Sequence, residues 1–278
     1  MISLIVSSYQ KDKFSNFSKN IRETIGIGFS YEIIAIENPG LMGICEAYNK
    51  GAEKSLYSNL LFIHEDVLFT TQNWGEVLIR HLGQPNCGCV GVAGNAIKTR
   101  FPIAWWDIKE SKFTHIDQST KSGTLIKKRL ATNTNDAVLL DGVFIGVKKE
   151  VWNKIKFNEG LLKNFHGYDI DFSIRVSRYY NNYIINDIHL THFSEGTPNK
   201  KWFEELTKVY QYNKGFINKS QIKLDDIKHI ELYFRYLRAY NFTKKNRIRL
   251  FLKFYNPLRY SLIDNYRILK MLHFYTFK

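Results

Sequence analysis

Over residues 2–94, short β-branched runs alternate with segments of helical spacing, and this alternation restricts the fold more than any other feature of the chain. "ISLIVSS" (2–8), "YEIIAIE" (31–37), "NLLFIH" (59–64) and "CGCVGVAG" (87–94) read as strands. Between them Phe14, Phe17, Ile21 and Ile25 recur at helical intervals. So do Ile44, Ala47, Tyr48 and Ala52, and then Trp74, Val77, Leu78 and His81. Strand–helix–strand units of this length cross over right-handed and build a mostly parallel sheet flanked by helices, an α/β class. Ligands of such sheets sit beyond the carboxyl ends of strands, near the point where strand order reverses. "FIHEDVLF" (62–69) puts His64, Glu65 and Asp66 at that end of the third strand. Burying charge there is costly unless it is paired or bound to a metal.

The alternation stops at residues 95–135, a long polar stretch with two adjacent tryptophans, Trp105 and Trp106. Long connections inside compact domains are usually lids or binding loops, and a small hairpin excursion is the third option. "AVLLDGVFIGVKK" (137–149) returns as a strand. "GYDIDFSIRVSRYY" (167–180) reads as a helix whose apolar face is Phe172, Val176 and Tyr179. "NYIINDIHLTHFSEG" (182–196) reads as a strand pair or a strand and a turn. Three helices rich in Tyr, Phe, Lys and Arg follow. These shifts divide the chain into a domain over 1–198 and a basic, aromatic, helical region over 199–278.

Composition decides several remaining questions. With 44% hydrophobic residues in a chain of 278, core material is ample and a folded chain is expected. "MISLIVSSYQKDK" reads as a first strand and not as a signal peptide. No run approaches the ~20 apolar residues a membrane span needs, so the expected location is cytoplasmic. Cys45, Cys87 and Cys89 fit a reducing compartment and structural roles. The formal charge of +14 is uneven: residues 200–278 hold 18 Lys and Arg against 6 Asp and Glu, a net of +12. Such an asymmetry marks a segment facing an anionic partner: a membrane, nucleic acid or a polyanion.

Neither G-x-G-x-x-G nor the P-loop pattern is present, nor is a G-x-S-x-G elbow. Instead, acidic residues stand at strand ends: Glu37, Asp66 and Asp141, then Asp169 and Asp171 opening a helix, with His192 on a later strand. Oxygen-rich sets suit Mg²⁺ or Mn²⁺, and an imidazole tilts the choice toward Mn²⁺. A lone H-E-D triplet by itself reads better as a strand end with an edge histidine.

"ISLIVSSY", "EIIAIEN", "GICEAYNKGAEKS", "LLFIHEDV", "DGVFIGVKKEVW" and "GYDIDFSIRV" occur in the order and approximate spacing of a known family. Over residues 1 to about 196 the chain resembles the GT-A-fold (Rossmann-like) glycosyltransferases of the bacterial family-two type. The resemblance implies that Tyr9, Glu37 and Asn38 contact the donor nucleoside and that Asn49 borders the nucleotide site. It implies that Asp66 ligates a divalent metal, with His64 standing where the family has the first aspartate of Asp-x-Asp and reaching metal or ribose. Asp169 falls on the general base of inverting members, and Tyr168 replaces its usual acidic neighbour. A base must lie within reach of the acceptor hydroxyl, and an Asp of ordinary pKa, about 3.9, is ionised at neutral pH. Asp171 lies roughly 200° around the helix and serves structure. His192 resembles the histidine that completes the metal shell in some relatives, with a satisfied core histidine as the equal alternative. Asp141 stands where relatives contact the acceptor, or is a turn aspartate. Trp105 and Trp106 offer flat surfaces for a sugar ring, with ordinary hydrophobic packing the alternative and the weightier one for one of the two.

The expected function is therefore a Mn²⁺- or Mg²⁺-dependent inverting transfer from a nucleotide-diphosphate sugar, a UDP-sugar, to a glycan or lipid-linked acceptor. The basic region would hold the enzyme on an anionic membrane. Two other classes stay open: an inactive binding or scaffold protein, motivated by His64 and Tyr168, and a nucleic-acid binder acting through its tail. No familiar nucleic-acid module is recognisable, so no nucleic-acid partner is expected.

Overall fold

The computed structural model describes residues 1–119, 124–127, 134–193, 196, 198–218, 222 and 224–278. The first half runs β1 (Ile2–Ser8), α1 (Lys11–Thr24), β2 (Tyr31–Glu37), α2 (Ile44–Lys54), β3 (Asn59–Ile63), β4 (Val67–Phe69), α3 (Trp74–Leu82), β5 (Cys87–Gly91) and β6 (Ala93–Asn95). Short strands follow: β7 (Lys112–Thr114), β8 (Ile116–Ser119), β9 (Leu125–Lys127), β10 (Asn135–Ala137) and β11 (Leu139–Leu140). Next come β12 (Phe144–Lys148), α4 (Lys149–Ile155), α5 (Tyr168–Ser177), β13 (Asn181–Ile184) and β14 (Leu190–His192). The chain closes with α6 (Lys200–Tyr212), α7 (Asp226–Ala239), α8 (Lys244–Leu252) and α9 (Leu262–Phe277).

Among the described residues the central sheet has the order β10-β13-β5-β12-β3-β1-β2. β1 is parallel to β2 and β3, and β5 to β13, as helical crossovers require. β12, however, runs antiparallel to both β3 and β5, and β10 antiparallel to β13. Five of the seven strands therefore share one direction, as expected, and β10 and β12 are the two reversed ones. The cause is the excursion after β5: the chain leaves the sheet at its carboxyl end, and β10 and then β12 run back from there against the direction of their neighbours. That same reversal sets Asp141 and Gly142 beside the end of β3, where the His64 amide donates to the Val143 carbonyl at 3.3 Å.

Most of the helical faces read from the sequence are buried: Phe17, Ile21 and Ile25 of the first segment, Ile44, Ala47, Tyr48 and Ala52 of the second, Trp74, Leu78 and His81 of the third, with Phe14 and Val77 half-buried against the core. Trp74 stacks on Phe69 with centroids 4.1 Å apart, and its indole N–H donates to Thr24 Oγ1 at 3.1 Å. Burying so large a ring is stabilising only because its one donor is matched. Cys45, Cys87 and Cys89 are free and buried.

Two details differ from the sequence reading. Tyr179 is 71% exposed, because α5 ends at Ser177 before the helical spacing reaches it. The 137–149 run is broken into β10, β11 and β12, with α4 beginning at Lys149. The 182–196 segment does form two strands, but in different sheets. The 95–135 stretch is not structureless: it supplies 3₁₀ turns at Trp105–Asp107 and Lys109–Ser111 and strands of two small sheets, β11-β6-β7 and β4-β14-β8-β9. Its residues 120–123 and 128–133 lie outside the described ones. The C-terminal helices share the main core, with Phe101 5.3 Å from Tyr233 and 6.0 Å from Phe251 by ring centroids.

Candidate active site

A cavity of about 480 Å³ opens at the carboxyl ends of β1 and β3, bounded by the start of α5 and the 3₁₀ turn of Trp105 and Trp106. Its most distinctive cluster comes from strand pairing. β14 is antiparallel to β4 and sets His192 opposite Val67, so its imidazole meets Asp66 with Nε2 3.4 Å from Oδ1. His64 Nδ1 lies 4.0 Å from the same oxygen. His64, Asp66 and His192 each offer one ligand atom, all within 4.8 Å of one another, and together could hold a metal ion. Two imidazoles and a carboxylate are a chemically sensible donor set for a divalent cation.

Both imidazoles are held from behind. Tyr168 donates its hydroxyl proton to the Gly142 carbonyl at 3.1 Å, so its oxygen accepts from His64 Nε2–H, 2.8 Å away. Burial, and then the neighbouring His192, lower the His64 pKa, which favours the neutral ring. With the proton on Nε2, the lone pair of Nδ1 faces Asp66. Gln118 grips His192 in the same way: its amide N donates to the His192 carbonyl at 3.1 Å, and its Oε1 lies 3.2 Å from Nδ1. That leaves His192 Nε2 directed at Asp66. Outer partners of this kind fix tautomer and ring orientation in metal sites. Gly142 is required by the close approach, since a Cβ there would collide with the Tyr168 hydroxyl and ring edge.

Asp169 stands in the first turn of α5. Gly167 precedes the helix at φ +79°, a left-handed conformation that favours glycine. The Gly142 amide donates to Asp169 Oδ2 at 3.0 Å. Burial, and then the charge of Asp141, push its carboxyl up to about 7. The sequence-based expectation of an ordinary, fully ionised aspartate is thereby corrected: at neutral pH Asp169 is poised near half-ionisation. Asp171 points away as expected, fully buried, with Arg175 Nε at 2.7 Å and Asn213 Nδ2 at 3.0 Å.

The cavity brings together Tyr9, His64, Asp66, Trp105, Trp106, Asp141, Asp169 and His192. Glu37, Asn38 and Asn49 are not in its lining. Glu37 is exposed at the end of β2. Asn38 closes its own loop, donating to the Met42 carbonyl and accepting from the Met42 amide, each at 3.0 Å. Asn49 is buried and its amide is engaged by Trp152 Nε1, Glu159 and both backbone groups of Phe157. Glu65 accepts from Ser8 Oγ and from the amides of Tyr9 and Gln10, tying the β1–α1 loop to the site. Asp141 Oδ1 accepts from the Val143 amide at 2.9 Å while the residue still lines the cavity, so its turn and pocket roles coexist. Trp202, from α6, stacks on Trp106 at 5.6 Å and completes one wall. No sequence signal pairs residues so far apart, and Gln118 was equally invisible.

The profile of a family described as "Glycosyltransferase like family" matches residues 3–222. The chain belongs to this glycosyltransferase-like family. Among solved structures, its fold is similar to GalNAc-T7, described with UDP, GalNAc and Mn²⁺ (9% identity, 86% of this chain and 51% of that chain, TM-score 0.53). It is also similar to the mannosyltransferase PcManGT of Pyrobaculum calidifontis, described with GDP-Man and Mn²⁺ (11% identity, 97% and 85% covered, TM-score 0.50). The glycosyltransferase-like chain thus spans about half the length of the GalNAc-T7 chain. At these identities the likeness shows the fold, which is the α/β GT-A fold expected from the motifs. No curated protein sequence matches significantly.

Proposed function

We propose that this family member is a metal-dependent, inverting glycosyltransferase. It would move a sugar from a nucleotide-diphosphate donor, a UDP-sugar, to a hydroxyl of a glycan or lipid-linked acceptor in bacterial surface polysaccharide or lipooligosaccharide assembly. The observation that carries this reading is one cavity holding both the His64–Asp66–His192 cluster and a carboxyl of raised pKa, Asp169. The descriptions of the similar structures with nucleotides and Mn²⁺ support it.

His64 Nδ1, an Asp66 oxygen and His192 Nε2 would hold the cation, Mn²⁺ in preference to Mg²⁺ because two donors are nitrogen. When bound, the cation neutralises charge developing on the departing diphosphate. Tyr9, exposed at the mouth of the cavity, would contact the nucleoside. Ionised Asp169 accepts the proton of the acceptor hydroxyl as its oxygen bonds to the anomeric carbon. The bond from that carbon to the diphosphate oxygen breaks, so nucleoside diphosphate leaves and configuration inverts. Raising the base's pKa toward working pH increases its proton affinity while leaving a useful ionised fraction. Trp105 and Trp106 would stack on the acceptor sugar, and Asp141 would contact it.

In this reading residues 1–198 form the donor-binding and catalytic domain. Residues 199–278 hold it at the anionic inner face of the cytoplasmic membrane, where a lipid-linked acceptor would lie. A thermal-shift screen of nucleotide sugars with and without Mn²⁺ tests the core of the proposal. A Mn²⁺-dependent rise in Tm with one nucleotide class is expected, and the absence of any nucleotide effect would overturn it.

A further inference from the structure

Helix α9 packs against α7 and α8, and Phe234 stacks parallel to Tyr275 at 5.9 Å. Ile268 and Thr276 are buried on that inner side. Its outer side departs from the rule for a solvated helix. At 100° per residue, the exposed residues of α9 fill one continuous arc of roughly 160°. Six of them are apolar or aromatic: Leu262, Ile263, Tyr266, Leu269, Phe274 and Phe277. The others are Arg267, Lys270 and His273, with no carboxylate. The helix's one acid, Asp264, is half-buried off this arc and lies 3.4 Å from Arg267. Leu258 and Leu262, at the leading end, are 93% and 90% exposed, with Arg259 between them in sequence. Over residues 244–278, nine Lys or Arg stand against one acidic residue.

We propose that this outer face of α9, with the turn at Pro257–Arg259, is a docking surface for an anionic lipid bilayer. The helix lies in the plane of the interface, its apolar side chains enter the acyl boundary, and Arg259, Arg267 and Lys270 meet lipid phosphates. Interfacial helices combine these two ingredients, a large apolar face and flanking cations. Among the described residues no helix is long and apolar enough to span a membrane, so contact at the surface is the mode available to this helix. Charge decides against a second copy of the chain as the occupant. A two-fold pairing of α9 faces would bring the cations of one copy toward those of the other, with Asp264, off this arc and already beside Arg267, the one carboxylate of each helix. An anionic bilayer supplies the missing charge along the whole length of the helix. The inference rests on the reading that the acceptor is presented at a membrane, and it assigns that contact to one face instead of the whole basic region.

The test uses the full chain in sedimentation with vesicles of phosphatidylcholine alone or with 30% phosphatidylglycerol. Leu262→Asp/Leu269→Asp removes apolar contact at exposed positions, and Arg267→Glu/Lys270→Glu reverses charge. The wild type is expected to bind only the anionic vesicles. The apolar pair should weaken that binding at least about tenfold, and the charge pair should weaken it about fivefold or more for each side chain changed. Nucleotide-induced thermal shifts should stay unchanged in both variants, which also reports intact folding. Three results would overturn the proposal: no wild-type binding, wild-type-like binding by the apolar pair, or a wild-type dimer in light scattering that the apolar pair converts to monomer. A chain that binds vesicles through α9 but no nucleotide would instead overturn the transferase reading alone.

Discussion

Replacing Asp169 by Asn should abolish transfer and at the same time stabilise the fold, with a pH signature that a merely structural residue would not give. The ordinary aspartate value is 3.8, and in the fold this carboxyl is pushed up to about 7, first by burial and then by Asp141. The native state therefore holds the proton more tightly than the unfolded chain does. Stability is full below about pH 4, declines as pH rises through 4 to 7, and levels off above that. At about 1.4 kcal/mol per pH unit, the gap is worth roughly 4 kcal/mol as an upper figure. The asparagine side chain mimics the neutral acid and can still accept from the Gly142 amide, but it has no proton to lose. Its advantage over the wild type should therefore be small near pH 4 and grow as pH rises. Between pH 5 and pH 8 that advantage should widen by roughly 2.5 kcal/mol. The Tm gap should then open by several degrees, since about 1 kcal/mol moves Tm by roughly 2–4 °C in a domain of this size. Calorimetry in metal-free buffer across pH 5–8 measures this. In parallel, wild-type kcat/KM should rise with pH about an apparent pKa near 7, dropping to about a tenth of its plateau at pH 6. A Tm difference that is the same at pH 5 and pH 8 would refute the burial argument, and turnover retained by Asp169→Asn would remove Asp169 as the base.

Tyr168→Phe deletes the hydroxyl that fixes the His64 tautomer and should weaken Mn²⁺ binding about 10- to 100-fold by calorimetric titration, with the fold intact. Gly142→Ala should do the same, because the added methyl displaces that hydroxyl. Gln118→Leu frees the His192 ring and should lower Mn²⁺ affinity by a similar factor; unchanged affinity would show that His192 is no ligand. Asp171→Ala removes the buried carboxylate that pairs Arg175 and accepts from Asn213, leaving the guanidinium only its carbonyl partners Ile155 and Lys156, and should cost about 3 kcal/mol in urea unfolding, with little change in the pH profile of the remaining activity.

Much of this protein is legible in its sequence because periodicity is a local property. The strands at 2–8, 31–37 and 59–63 and the buried faces of α1, α2 and α3 follow from side-chain spacing that any sheet–helix packing would enforce. Asp66 and Asp169 were singled out only through the resemblance of their motifs to a known family, and the fold sets both in one cavity. Tertiary structure decided the rest. Whether His192 meets Asp66 depends on β14 pairing with β4 across more than a hundred residues, and no local pattern encodes that register. Tyr168 reads as a lost carboxylate in the sequence, yet in the fold it reaches His64 and the Gly142 carbonyl at once. The Asp169 pKa comes from burial and from Asp141, groups assembled only when β12 re-enters the sheet backward. The basic tail was visible as composition, but which of its apolar residues would stay uncovered was settled by how α9 packs on α7 and α8. Sequence determines what each segment can become, while charge state, tautomer and exposure are properties of neighbours, and neighbours are supplied by the fold.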